Sequence, residues 1–331
     1  MRRRLSSFLR RRRVLAALQL LVVGVLLGVL AYVLRDVWAD ALPRLREARP
    51  GDVGVAVGVL ALYYLLFVLG WQWILAALGV RIGYSLALQA EMASMLAKYI
   101  PGTVWTPLAR IVWVRRAGVT QTSLVLGSIL LEAGLSAIAG VLVFAVGLVP
   151  VGSDATALVP LVAFAAVVAV LIHPRVFQPL ARKVFGRFGG TEPPVLPYRT
   201  MVALLVYYSF TWLVGGVAIF FLLRSLGGEP GFETIPYLGG TAAVGAIVAV
   251  LSLFAPSGLG VREGSMYGLM LAVVSEGVAL GATILNRLAI TVVEAALLAL
   301  GVVLWRLRRH EPKEALETSH WPEPELARRR S

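Results

Sequence analysis

Apolar residues fall along this chain in long, nearly uninterrupted runs. Seven of these runs approach or exceed the length of about 20 residues that a helix needs to cross a bilayer. They cover residues 14–34, 53–80, 122–149, 156–173, 200–224, 237–255 and 282–305. Because hydrocarbon offers no partner to an exposed peptide group, each run predicts a helix whose backbone is paired internally. The pattern therefore predicts an all-α, polytopic membrane helix bundle.

Two further apolar segments are interrupted by proline and glycine. Residues 86–118 are broken at Pro101-Gly102, and residues 254–281 are broken within a Pro-Ser-Gly-Leu-Gly sequence that ends in Gly260. We predict a partly re-entrant helical hairpin for the first segment and one short crossing for the second, giving about eight spans in total. The breaks lie about half the chain length apart, which suggests a duplicated unit, and an inverted repeat is one such arrangement.

Composition supports the membrane assignment. Apolar residues make up 59% of the chain and charged residues only 15%, whereas a soluble globular domain usually carries about 25% charged residues. The chain has no cysteine, which excludes disulfides, thiolate metal ligands and a cysteine nucleophile.

The net charge of +13 is concentrated next to the first and last apolar runs. Seven arginines precede residue 14, and basic residues follow the last run from Arg306. Basic flanks are typical of the cytoplasmic side and of contact with anionic lipids. We predict a basic cytoplasmic N-terminus over residues 1–13, a transmembrane domain over 14–305 and a disordered cytoplasmic tail over 306–331. No nucleic-acid motif lies near these charges, so nucleic acid is not an expected partner.

The two breaks also predict a binding site. Helix ends at a break leave backbone N–H groups without helical partners, and a helix N-terminus favours an anion such as phosphate. An arginine follows each break, and the guanidinium group can hold phosphate through paired N–H donors. The predicted headgroup site comprises Pro101, Gly102, Arg110, Gly258, Gly260, Arg262 and Glu263. The alternative is that both breaks are ordinary cytoplasmic loops whose arginines mark the inner face.

Charges inside the apolar runs predict a polar path. Glu132 has Ser128 and Ser136 one turn away on either side, so this stripe is expected to face the bundle interior. A similar stripe contains Arg287, Thr291 and Glu294. For each of these residues, pairing between helices is the alternative, for example between Glu132 or Glu294 and an arginine.

Two other sets of residues allow structural readings. Glu91 and Lys98 are two turns apart on one helical face and form a candidate ion pair. The aromatic residues within the runs are interpreted mainly as interface and packing residues. They include Tyr63, Tyr64, Trp71, Tyr207, Tyr208 and Trp212.

The motifs of catalysis and cofactor binding are missing from the sequence. The three histidines, His173, His310 and His320, have no metal-ligand spacing, and neither a P-loop nor a GxSxG motif occurs. No metal or cofactor is therefore expected, and an enzyme of this sequence would need its active site inside the membrane.

The two breaks carry a resemblance to a known family. The sequences around Pro101-Gly102 and Arg110, and from Gly258 through Arg262-Glu263, resemble those of the lysylphosphatidylglycerol synthase transmembrane-region family. The resemblance covers roughly residues 10–305. Longer members carry a cytosolic aminoacyl-transferase domain after this unit, but the present chain ends before one, so synthase activity is not expected here. Relatives often have Glu-Arg followed by Asp near Glu132, of which only the glutamate matches.

The resemblance implies a flippase-like unit that binds a phospholipid or lipid-linked headgroup and moves it across the bilayer. The expected partners are membrane phospholipids with anionic headgroups, and a homo-oligomer is compatible with the pattern. The expected location is the plasma (inner) membrane of a prokaryote, with both termini cytoplasmic. Two alternatives remain open at this point: an intramembrane lipid-modifying enzyme, and a membrane accessory subunit for a soluble synthase or glycosyltransferase.

Overall fold

The described part of the protein is helical. The computed structural model describes residues 42–97, 105–152, 196–252 and 260–308, together with Pro179, and contains no strand among them. The principal helices are α1 (Pro50–Ala77), α2 (Tyr84–Ala97), α3 (Trp105–Arg116), α4 (Thr122–Leu148), α5 (Tyr198–Ser225), α6 (Ile235–Leu251), α7 (Val261–Met270) and α8 (Glu276–Arg308). A short 3₁₀ turn, Phe232–Thr234, leads into α6.

Five of the predicted spans are confirmed within the described residues. Five helical segments are long and apolar enough to cross a membrane: Pro50–Ala77, Thr122–Leu148, Tyr198–Ser225, Phe232–Leu251 and Glu276–Val303. The predicted spans 14–34 and 156–173 lie outside the described residues. The all-α membrane bundle predicted from the apolar runs is therefore the observed architecture.

The first broken segment forms two short helices that pack against each other. Helices α2 and α3 contain 14 and 12 residues, and thus measure about 21 and 18 Å at 1.5 Å per residue. Each is shorter than the hydrocarbon layer, which is about 30 Å thick. The connection between them, which contains Pro101 and Gly102, lies outside the described residues.

The second broken segment contributes the short helix α7. Helix α7 packs along α6, and the Tyr237 hydroxyl near the start of α6 donates a 2.8 Å hydrogen bond to the Leu269 carbonyl near the end of α7. The two helices are therefore antiparallel. With ten residues α7 is about 15 Å long, so it does not by itself provide the short crossing predicted for residues 254–281.

Glycines allow the middle of the bundle to pack at backbone distance. A Cβ atom on Gly216 of α5 would meet the Ile235 carbonyl and the Gly239 amide of α6, and one on Gly240 of α6 would meet the backbone of Phe144 in α4. Lipid provides no hydrophobic driving force for helix association, so membrane helices depend on close van der Waals packing. Small residues at the crossing allow that close approach. Helices α4, α5 and α6 thus form a tightly packed unit.

Helix α8 connects the two broken segments. Its Arg287 pairs with Glu263 of α7, and its Gly301 carbonyl accepts a 3.0 Å hydrogen bond from the Gln89 side chain of α2. These two positions are about 21 Å apart along α8. One continuous helix therefore contacts both hairpins at well-separated levels, and α1 packs beside it.

Candidate functional site

Arg110 of α3 lies in a buried ion-pair cluster with two glutamates. Its two terminal amino groups donate to Glu91 of α2 and to Glu132 of α4, and all three residues are at most 4% exposed. Removing a charge from water is costly unless it is paired, so these three side chains hold three helices in one arrangement. Pairing of Glu132 with an arginine was one of the two readings that the sequence left open.

The Arg110 guanidinium makes two further contacts, one through its Nε and one through its planar face. Its Nε donates a 3.3 Å hydrogen bond to Ser94 Oγ, and its Cζ lies 4.7 Å from the ring centroid of Trp71 in α1. The Trp71 indole N–H donates in turn to Ser128 Oγ at 2.9 Å. Arg110 is therefore fixed by α1, α2 and α4 together.

The predicted stripe on α4 does face the interior. Ser128, Glu132 and Ser136 are all buried, and the Ser136 carbonyl accepts a 2.8 Å hydrogen bond from the Trp212 indole of α5. Glu132 uses Oε2 for Arg110, while its Oε1 is buried and has no hydrogen-bonding partner among the described residues.

The stripe predicted on α8 is only partly correct. Glu294 is buried and accepts a 2.7 Å hydrogen bond from the Tyr64 hydroxyl of α1. Arg287 is partly buried, but Thr291 is exposed and donates to the backbone carbonyl of Arg287. Thr291 lies outside the stripe because the buried face of α8 runs through Asn286, Ile290 and Val293 instead.

The start of α7 brings together three of the predicted site residues. Gly260 adopts a φ of +81°, a conformation that favours glycine, immediately before the helix. Glu263 accepts a 2.8 Å hydrogen bond from the Gly260 backbone N–H through Oε2 and pairs with Arg287 at 3.3 Å through Oε1. A single carboxylate thus connects the turn before α7 with α8.

Arg262 differs from Arg110 in its surroundings. It is partly buried in the first turn of α7, with its aliphatic stem close to Gly245 of α6. Its charge acts electrostatically on the phenols of Tyr63 and Tyr64 in α1. Across the described part of the chain, its guanidinium makes neither an ion pair nor a hydrogen bond.

Tyr63 of α1 interacts electrostatically both with the Arg110 ion-pair cluster and with the start of α7. It lies within electrostatic range of Arg262, and also of Glu132 and Glu91. Trp71, which contacts Arg110, is two helical turns from Tyr64 on the same helix, a distance of about 10 Å. Helix α1 therefore takes part in both groups of charged residues, since Trp71 contacts Arg110 and Tyr64 donates to Glu294.

Some predicted residues cannot be placed, and some participants were missed. Pro101, Gly102, Gly258 and Lys98 lie outside the described residues. Tyr64 and Trp71 were interpreted as interface and packing residues, although both contact charged side chains. No sequence pattern separates them from the other aromatic residues of the spans, because their roles depend on partners in distant helices.

The described residues form no metal-binding cluster. Within residues 42–97, 105–152, 196–252 and 260–308 there is no group of three or more His, Cys, Asp or Glu side chains that could hold a metal ion.

Comparison with known proteins identifies a membrane family. The family model described as the lysylphosphatidylglycerol synthase TM region matches residues 17–301. The match includes every principal helix of the described residues up to the last two turns of α8. No curated protein matches the chain significantly.

Proposed function

Since the chain belongs to the lysylphosphatidylglycerol synthase transmembrane-region family, whose function is related to membrane lipids, we propose that it binds the headgroup of a phospholipid or lipid-linked carrier and moves it across the bilayer. The family resemblance predicted from the two breaks is confirmed by the match. The protein is a multi-pass membrane protein. Movement of lipid is the step that this proposal adds.

Arg262 is the observation that carries the proposal. A charged side chain within a membrane bundle is costly and needs a partner or a polar cavity. Arg262 has no ion pair among the described residues, while Arg110, Arg287 and the buried glutamates each have a hydrogen-bonding or ionic partner. The planar guanidinium fork matches a phosphate group in geometry and charge. An anionic headgroup would supply the counter-charge that the described residues do not provide.

The surrounding residues support a route for a headgroup. Arg262 acts electrostatically on Tyr63 and Tyr64, whose hydroxyl groups make this part of α1 polar. Glu294 and the Glu263–Arg287 pair lie at the same side of the bundle, on α8 and α7. In our proposal these residues, together with Glu132, line the path.

Arg110 receives a different role from Arg262 within the same site. Two glutamates, Ser94 and Trp71 already occupy its guanidinium, so we propose that it holds the first hairpin in place and sets the electrostatic potential for the headgroup. The breaks at Pro101-Gly102 and at Gly258 and Gly260 would let each hairpin end within the membrane. Non-helical backbone at membrane depth is tolerated where it lines a polar cavity.

The arrangement of the hairpins supports a re-entrant architecture. Helices α2 and α3 of the first broken segment and α7 of the second are each too short to cross alone, and α8 contacts both segments. We propose that they enter from opposite faces as an inverted repeat, in the plasma membrane of a prokaryote with both termini cytoplasmic. Rocking of one repeat against the other is the usual way such folds expose a central site to alternate sides.

The test is transbilayer movement of a fluorescent phosphatidylglycerol in vesicles containing the purified full chain. Wild type is expected to move the lipid between leaflets, and Arg262→Gln to slow the movement at least about tenfold, the change produced by losing about 1.4 kcal/mol of binding. Arg81→Gln is the matched control, since Arg81 lies exposed in the connection between α1 and α2. Movement no faster than in protein-free vesicles would contradict the proposal. Product formation from the lipid would favour the enzyme alternative instead.

A further inference from the structure

Only one oxygen of the Glu132 carboxylate accepts a hydrogen bond among the described residues. Arg110 divides its two amino groups between Glu91 and Glu132, so Glu132 receives a single hydrogen bond from it, at Oε2. The other oxygen, Oε1, is buried and has no hydrogen-bonding partner among the described residues. A buried carboxylate oxygen without a donor is unfavourable, whereas a protonated carboxyl group carries no charge and is itself a donor.

A second unpaired polar atom lies in the same region. The hydroxyl of Tyr208 in α5 is buried and has no hydrogen-bonding partner among the described residues. Tyr208 interacts electrostatically with Glu132, Glu91 and Arg110, and its hydroxyl lies against Gly70 of α1. An acceptor and a hydroxyl group, neither of them satisfied, therefore occur beside one ion-pair cluster.

We infer that Glu132 is a proton-binding site, and that a proton is taken up there when an anionic headgroup binds at Arg262. The second half of this inference rests on the function proposed above. The step is a simple protonation, in which the Glu132 carboxylate and one proton from water give the neutral carboxyl group, and no other bond changes.

The ionisable groups around Glu132 set the electrostatic potential at its carboxylate. Helix α1 contributes Tyr63, α2 contributes Glu91, α3 contributes Arg110 and α5 contributes Tyr208. Helix α6, which also packs on α4, carries no ionisable side chain except Tyr237. Glu132 is thus surrounded by one carboxylate, one guanidinium and two phenols among the described residues.

Helix α1 connects Glu132 to the headgroup site. The Tyr63 ring lies 5.7 Å from the Trp212 ring, whose indole N–H donates to the Ser136 carbonyl, one turn from Glu132 on α4. The neighbouring Tyr64 donates to Glu294, two turns along α8 from the Arg287 that pairs with Glu263 beside Arg262. An anion at Arg262 makes a second negative charge at Glu132 less favourable and so promotes its protonation. By linkage, protonation must strengthen anion binding by the same factor.

The test is infrared difference spectroscopy of the full chain in phosphatidylcholine vesicles at neutral pH, where exposed carboxyl groups are ionised. Wild type is expected to show the C=O stretch of a protonated carboxyl group, absent from Glu132→Gln and retained in Glu233→Gln, which changes an exposed glutamate. The band should grow when phosphatidylglycerol is included and disappear when the pH is raised. Tyr208→Phe should shift its frequency, which keeps the inference testable if Glu132→Gln fails to fold.

Two outcomes would overturn the inference, and a third would separate its failure from that of the proposed function. A wild-type spectrum without this band, or one shared with a folded Glu132→Gln, would remove the proton site. A band that does not grow when phosphatidylglycerol is included would remove its connection to the headgroup. Absence of lipid movement with the band intact in phosphatidylcholine would contradict the proposed function and leave the proton site standing.

Discussion

The Tyr64 hydroxyl of α1 donates a 2.7 Å hydrogen bond to Glu294 Oε1 of α8, joining residues 230 positions apart in the sequence. Arg262 of α7 acts electrostatically on the same tyrosine. Tyr64 therefore interacts both with a buried carboxylate of α8 and with an arginine of α7 that makes no ion pair among the described residues.

Removal of the Tyr64 hydroxyl is expected to destabilise the bundle. Tyr64→Phe leaves Glu294 without this donor, and a hydrogen bond to a charged group contributes about 1.5–3 kcal/mol. Tyr208→Phe is the matched control, since that buried hydroxyl has no hydrogen-bonding partner among the described residues, and its removal should change stability little. The free energy of unfolding in detergent is measured for both variants. Equal losses would show that the hydrogen bond from Tyr64 to Glu294 makes no specific contribution to stability.

Replacement of Arg110 is expected to have the largest effect on stability. Arg110→Gln leaves Glu91 and Glu132 buried without this cation, and breaking a buried ion pair costs about 3–5 kcal/mol. Combining Arg110→Gln with Glu91→Gln and Glu132→Gln should recover most of the loss, because the uncompensated charges are then removed. The free energies of unfolding of the two proteins test this. A single variant as stable as wild type would mean that the cluster is not structural.

The turn before α7 is expected to need glycine. Gly260 has a φ of +81°, and a left-handed backbone costs a residue with a Cβ atom about 1–2 kcal/mol. Gly260→Ala should therefore lower stability and weaken lipid movement by displacing Arg262. Gly264→Ala, inside α7 with no atom within 4 Å of the added Cβ, should be neutral or stabilising. If Gly264→Ala were the more damaging of the two, this explanation of the turn would be wrong.

Close packing of α5 on α6 is expected to tolerate no added methyl group. Gly216→Ala would place a Cβ against the Ile235 carbonyl and the Gly239 amide, and overpacking of this kind costs about 1–3 kcal/mol. Gly134→Ala on α4 provides the comparison, because nothing lies within 4 Å of its added Cβ. Gly216→Ala is expected to unfold at a lower temperature than Gly134→Ala. Identical thermal transitions would argue against backbone contact between α5 and α6.

The apolar runs predicted the spans because every helix that crosses the hydrocarbon layer requires a long stretch of apolar residues. The serines flanking Glu132 correctly predicted which face of α4 is buried. The partners of each charge were harder to predict, since Arg110 meets glutamates from two other helices and Tyr64 meets one from the end of the chain. Such contacts follow from how helices pack, and local spacing does not encode them. Thr291 illustrates the limit, because its helical spacing from Arg287 and Glu294 predicted that it shares their face, whereas its side chain is exposed.

The central claim is that Arg262 holds an anionic lipid headgroup, and mass spectrometry of lipids retained by the gently purified protein tests it most directly. Wild type and Arg81→Gln are expected to retain one class of anionic lipid above its abundance in the bulk membrane. Arg262→Gln should lose that enrichment while keeping the wild-type unfolding transition. The same lipid profile in all three proteins, matching the bulk membrane, would contradict the account.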